Sequence, residues 1–132
     1  LIVLDASAVI ELLLRTPAGV KIEAQTLGPE ETLHVPHVLD LEVVEVLRRY
    51  VRSGAMTAVR GDQAVSDLLD LPLIRYPHEP FLNRIWQLRG NSTAYDAAYL
   101  ALAESLPAQL LTCDPKLAST PGHKAHVIVC AS

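Results

Sequence analysis

Leu1-Ile2-Val3-Leu4 is a continuous apolar run that stops at Asp5. A half-exposed strand would alternate polar and apolar residues, so unbroken runs of this length indicate strands covered on both faces. From Ser7 to Leu14 the apolar residues are spaced for a helix. Pro17 permits a second helix toward Gly28, and Leu33 to Val35 gives another short strand before Pro36. Val38 to Arg52 is strongly amphipathic and is followed by Gly54, a residue suited to ending a helix. A further helix is expected over Thr57 to Leu71, a short apolar stretch at Leu73-Ile74, and a helix from Glu79 to Arg89 closed by Gly90. Ala-rich Thr93 to Leu106 reads as helix and Gln109 to Cys113 as strand. A last strand, Val127 to Cys130, follows the Pro121-Gly122 turn. Short apolar strands separated by helices predict an α/β sandwich with a short parallel sheet flanked by helices. With no repeat or flexible linker in its 132 residues, the chain reads as one domain over 1–132.

Such a sheet places ligands beyond the carboxyl ends of its strands, where Asp5 and Asp114 fall. Two more acids stand out by helical phase. At about 100° per residue, Leu39, Val43, Val46, Leu47 and Tyr50 form one apolar stripe, with Glu42 at its shoulder and Glu45 on the far side among Arg48, Arg49 and Arg52. The same projection puts Asp96 inside an arc of Tyr95, Tyr99, Leu100, Leu102, Ala103 and Leu106. Taken singly, Asp5 or Asp114 would be read as a helix cap and Glu42 as a rim residue. Asp96 is harder to place blandly, because an unpaired carboxylate in apolar surroundings is costly.

Four converging carboxylates repel unless a cation lies among them. Oxygen donors without convincing His or Cys partners favour a hard ion, Mg²⁺ or Mn²⁺. Such sites suit the hydrolysis of phosphodiesters. Composition at first opposes a nucleic-acid substrate, since Lys and Arg number 11 against 15 Asp and Glu, a net charge of −4. Setting the four acids aside leaves 11 against 11, so the acid excess equals the proposed ligand set. Bound cations would reverse the local sign, and RNA binding should weaken sharply without them.

Four segments carry a family likeness: Leu1-Ile2-Val3-Leu4-Asp5-Ala6-Ser7-Ala8, Leu41-Glu42-Val43-Val44-Glu45-Val46-Leu47-Arg48-Arg49, Thr93-Ala94-Tyr95-Asp96-Ala97-Ala98-Tyr99-Leu100-Ala101-Leu102-Ala103 and Leu110-Leu111-Thr112-Cys113-Asp114-Pro115-Lys116-Leu117-Ala118. In this order the chain resembles PIN-domain ribonucleases, most closely the VapC-type toxins of bacterial toxin-antitoxin pairs. The resemblance implies a PIN-like three-layer sandwich and a metal-dependent endoribonuclease. It makes Asp5, Glu42, Asp96 and Asp114 the catalytic acids that hold Mg²⁺ or Mn²⁺. It further implies a cognate VapB-type antitoxin covering the cleft, and a homodimer. Ser7 and Thr112, each two residues from one of these acids, are expected to orient carboxylates, with ordinary local backbone bonding as the alternative.

Arg15 and Asn91 are weaker candidates for contacting substrate, with helix capping the stronger expectation for Asn91. Arg48, Arg49 and Arg52 are candidates for guiding a phosphate backbone or, equally, a solvated face. The pairs His34 with His37 and His123 with His126 lie in turn-like sequence and are expected at the surface. Trp86 and Phe81 share a helix with Leu82 and Ile85; core is the default expectation for them, with part of an exposed face for a partner as the alternative. Cys113 and Cys130 are too few for a disulfide framework. Charged Asp5 and Glu11 interrupt the apolar start too early for a membrane span, so a cytoplasmic protein is expected. The chain begins at Leu1 and not Met, which leaves open whether residues precede it. Two other functions compete: a phospho-acceptor receiver-like module, and a catalytically silent PIN-like module that binds RNA or a partner. The first is disfavoured because Asp5-Ala6-Ser7 lacks an adjacent acid and Leu73-Ile74-Arg75 lacks an acceptor. Intact acids argue against the second.

Overall fold

A computed structural model describes residues 1–130. It contains strands β1 (Ile2–Leu4), β2 (Leu33–Pro36), β3 (Leu73–Tyr76), β4 (Gln109–Thr112) and β5 (His126–Val129). These pair in the order β3-β2-β1-β4-β5, and every pairing is parallel. Burial follows position in the sheet. All of β1 and β2 is buried, whereas the edge strands β3 and β5 are only partly covered.

The connecting helices are α1 (Ala6–Leu14), α2 (Pro17–Thr26), α3 (Val38–Ser53), α4 (Ala58–Asp70), α5 (Leu82–Gln87), α6 (Ala94–Ser105) and the single turn α7 (Pro115–Ala118). Together they give the three-layer α/β arrangement expected from the apolar runs. Helix α6 is buried without interruption from Ala97 to Ala103 and packs on β1, β2 and β4. Its alanines allow that close approach, because a small side chain lets helix and sheet backbones come together. The chain builds β2 and β3 on one side of β1 and then returns to place β4 on the other. The gap between the carboxyl ends of β1 and β4 is therefore the switch point where open parallel sheets bind ligands.

Several expectations need correction. The span from Glu79 to Arg89 is not one helix: a 3-10 turn over Glu79–Phe81 precedes α5. Pro80 lies in that first turn. Gly90 does not close α5, whose cap is Leu88. His34 is buried, not superficial, bonding Thr32 Oγ1 at 2.8 Å and Tyr76 Oη at 2.6 Å. Trp86 is 67% exposed, with the Arg89 guanidinium 4.4 Å above its ring, while Phe81 does pack partly against the core. Leu39, Val43 and Leu47 form the buried stripe of α3, but Tyr50 near its end is exposed. Tyr95 likewise faces outward, at the first turn of α6. Among the described residues no helix is long and apolar enough to cross a membrane.

Candidate active site

Asp5 directly follows β1 and is 7% exposed. It caps α1, accepting the Ala8 N–H on Oδ1 at 3.0 Å. The same oxygen accepts the Ser7 hydroxyl at 2.7 Å, and Oδ2 accepts the hydroxyl of Thr112. Ser7 Oγ in turn accepts the Cys113 N–H at 2.9 Å, and Thr112 Oγ1 accepts the Asp114 N–H at 2.9 Å. Ser7 and Thr112 thus tie the end of β1 to the turn after β4. Every hydroxyl proton and lone pair used here lies at the sheet's switch point.

Asp114 caps α7, accepting the Lys116 N–H at 3.0 Å. Both strand-end acids therefore do act as caps, a role that leaves further lone pairs on each carboxylate. Glu42 looks inward from α3 and accepts a 2.6 Å hydrogen bond from the buried phenol of Tyr99 on α6. Asp96 lies in the first turn of α6, where Thr93 caps its N–H at 3.1 Å. An acid there also complements the positive end of the helix. The helical projection did not show this, because it reports the face a residue occupies and not its distance from the helix end.

These acids sense one another. Burial pushes the Asp5 carboxyl above the usual carboxylate range; its three donors pull the other way, and the Asp96 charge adds to the rise. Glu42 is likewise raised, chiefly by burial, with Tyr99 opposing and Asp96 and Asp5 contributing. Asp96 is raised by burial and then by Asp114. No Lys or Arg compensates them: none of the ion pairs among the described residues includes any of the four. Four carboxylates, of which Asp5, Glu42 and Asp114 each accept a hydrogen bond, form an all-oxygen donor set of the kind that suits a hard divalent cation. Among the described residues, no three acid, His or Cys side chains are gathered tightly enough to enclose an ion. All four donors are oxygens, which is the chemistry a hard cation takes.

A groove of about 670 Å³ runs beside the acids between α1 and α3. Glu42, Arg49, Tyr50 and Tyr95 line it, and so does Glu45, which the helical projection had turned away. Exposed Glu45 also pairs with Arg48 at 3.3 Å. The structure does not bring Arg15 to the acids: it caps α1 at the end opposite Asp5 and pairs with Glu23 at 3.4 Å. Asn91 does not cap α6, a task performed by Thr93; its side-chain amide lies beside Gly122. Sequence reasoning also took Tyr99 for core alone. Its burial was readable from helical phase, but the partner of its hydroxyl, on a different helix, was not.

The PIN-domain family model matches residues 2–122. Ribonuclease VapC12 of Mycobacterium tuberculosis is 43% identical over 127 residues, covering 96% of this chain and 97% of that protein. Among solved structures, Mycobacterium tuberculosis VapC20, a sarcin-ricin loop cleaving toxin, superposes with a TM-score of 0.69 at 11% identity, covering 94% of this chain and 97% of that one. VapBC2 from Rickettsia felis, bound to a DNA fragment from their promoter, gives 0.71 at 12% identity with 97% of each chain covered. At such identities the structural likeness concerns the fold.

Proposed function

The chain belongs to the PIN-domain family as a ribonuclease of the VapC group, and from that premise we propose that it is a toxin endoribonuclease whose metal site is formed by Asp5, Glu42, Asp96 and Asp114. Family membership implies a divalent metal; Mg²⁺ or Mn²⁺ is the reading the all-oxygen donors favour. The observation that carries the site is the set of four coupled carboxylates, free of Lys or Arg partners among the described residues, beyond the ends of β1 and β4.

A bound divalent cation supplies Lewis-acid stabilisation of the charge that builds on a phosphoryl group and makes water a better nucleophile at neutral pH. The chain's own part is positional. Ser7, Thr112 and the Ala8 N–H hold Asp5 in one rotamer. Helix α6 presents Asp96, and the α7 turn presents Asp114. Arg49 lines the adjoining groove and offers a positive group to an RNA backbone passing the acids. Residues 1–132 are read as one PIN domain, acting in the cytoplasm as a homodimer that a VapB-type antitoxin silences.

Purified free of antitoxin, the protein should cleave RNA with Mg²⁺ or Mn²⁺, stop with chelator, and lose activity on Asp5→Ala or Asp96→Ala. Cleavage that survives both substitutions would sink the site assignment and point to a contaminating nuclease.

A further inference from the structure

Tyr99 bonds one of the four acids, Glu42, from the helix that carries another, Asp96. Its side chain is 2% exposed, so the ring is held by the core and cannot swing to meet a moving partner. The hydroxyl nonetheless reaches across from α6 to α3 and donates to Glu42 Oε1 at 2.6 Å. A buried phenol needs an acceptor, and here the acceptor is a carboxylate of the candidate site. This is the hydrogen bond that the structure gives Glu42 among the described residues. Without it, a half-buried glutamate with three side-chain torsions has open groove beside it and a positive neighbour, Arg49, lining the same space. Asp96 and Tyr99 are three residues apart and so share one face of α6.

We propose that Tyr99 is a positioning residue for Glu42: its phenol occupies Oε1 and aims the other carboxylate oxygen toward the cation, so that α6 supplies one ligand through Asp96 and orients a second through Tyr99. The proposal rests on the reading of the acids as a metal site. One rigid helix then sets the spacing between ligands from two helices, and Glu42 is held ready before the ion arrives. Partners of this kind orient a ligand, and their loss lowers metal affinity or activity.

The test uses antitoxin-free protein and Mn²⁺ binding followed by electron paramagnetic resonance, alongside RNA cleavage as a function of Mn²⁺. Tyr99→Phe keeps the ring and removes the hydroxyl. It should weaken Mn²⁺ binding roughly 10- to 100-fold, and raise the Mn²⁺ needed for half-maximal cleavage while kcat at saturating Mn²⁺ stays within about threefold of wild type. In a Glu42→Ala background, which removes the acceptor, the same substitution should have little further effect. Unchanged Mn²⁺ affinity, or an equal loss in both backgrounds, would overturn the proposal by making Tyr99 a packing residue only. A measurement without a variant guards against misfolding: Mg²⁺ titrated into wild-type protein should shift the Tyr99 ring resonances with the midpoint seen at the Glu42 carboxyl, and silent Tyr99 resonances would count against it. Failure of the wild-type protein to bind Mn²⁺ at all would remove the metal reading itself, and this inference with it.

Discussion

Asp96 is the acid whose charge is least accommodated by the protein alone. Asp5 is met by three donors and Glu42 by a phenol, whereas the bond recorded at Asp96 involves its backbone N–H. Burial, and then the Asp114 charge, hold its carboxyl above the ordinary range. The folded protein therefore keeps this proton to higher pH than the unfolded chain does. Its contribution to stability is present below the ordinary carboxylate range, near pH 4, and is lost as pH rises through the raised value. In chelator, Asp96→Asn should raise Tm at about pH 7 and make little difference near pH 3.5, below the ordinary carboxylate range. Saturating Mn²⁺ should reverse the order, since only an intact site gains stability from binding. A lower Tm for Asp96→Asn in chelator at neutral pH would show that repulsion is not what the carboxylate contributes. At this scale the sequence marked all four acids through strand ends and helical phase. It did not reveal Tyr99, because phase says which side chains are buried and not what a hydroxyl meets 57 positions away.

Among the elements, α1 and α2 have the closest contact. A Cβ on Gly19 would lie 1.9 Å from the Glu11 carbonyl oxygen, so α2 crosses α1 backbone to backbone. Thr16 caps α2 at the Gly19 N–H and also donates to Glu11, fixing the corner between the two helices. Helix α1 begins at Asp5 and carries Ser7, so a displaced α1 would disturb the site from its far end. Gly19→Ala should destabilise the fold by about 1–3 kcal/mol or more, read as a fall in the urea midpoint, with activity reduced beyond what the unfolded fraction explains. An unchanged midpoint would mean the helices separate at little cost. Strands and long helices were legible here because apolar runs and 3.6-residue periodicity each report burial directly. The break near Pro80 was not, since Phe81, Leu82 and Ile85 preserve a helical spacing across it. For Trp86 the exposed alternative holds and not the default, because size and apolarity alone do not determine which side of a short helix faces the core.

Across the whole molecule, the charge balance gives the acids a second consequence. Bases and remaining acids are equal once the four are set aside, so the protein has no general excess of positive charge to attract RNA. Affinity for a non-cleavable RNA analogue should fall sharply in chelator and return with Mg²⁺, an effect measurable by fluorescence anisotropy at fixed ionic strength. Tight binding in chelator would require a basic surface that is independent of the acids. The fold class was legible because three of the strands are apolar enough to require cover on both faces. The order of strands was not, because parallel pairing joins segments distant in the chain.

That order also bears on how the protein is made. Of the five strands the central one is translated before the other four, yet Asp5 is held by Thr112, 107 residues later in the chain. A ribosome exposes its product from the amino end, so Asp5, Glu42 and Asp96 all emerge before the segment that completes their surroundings. Until residues 109–114 are free to pair beside β1, the nascent chain lacks both the hydroxyl that orients Asp5 and the fourth acid. An RNA-cutting protein built in this order completes the surroundings of Asp5 only once its fourth strand has emerged, a delay set by topology.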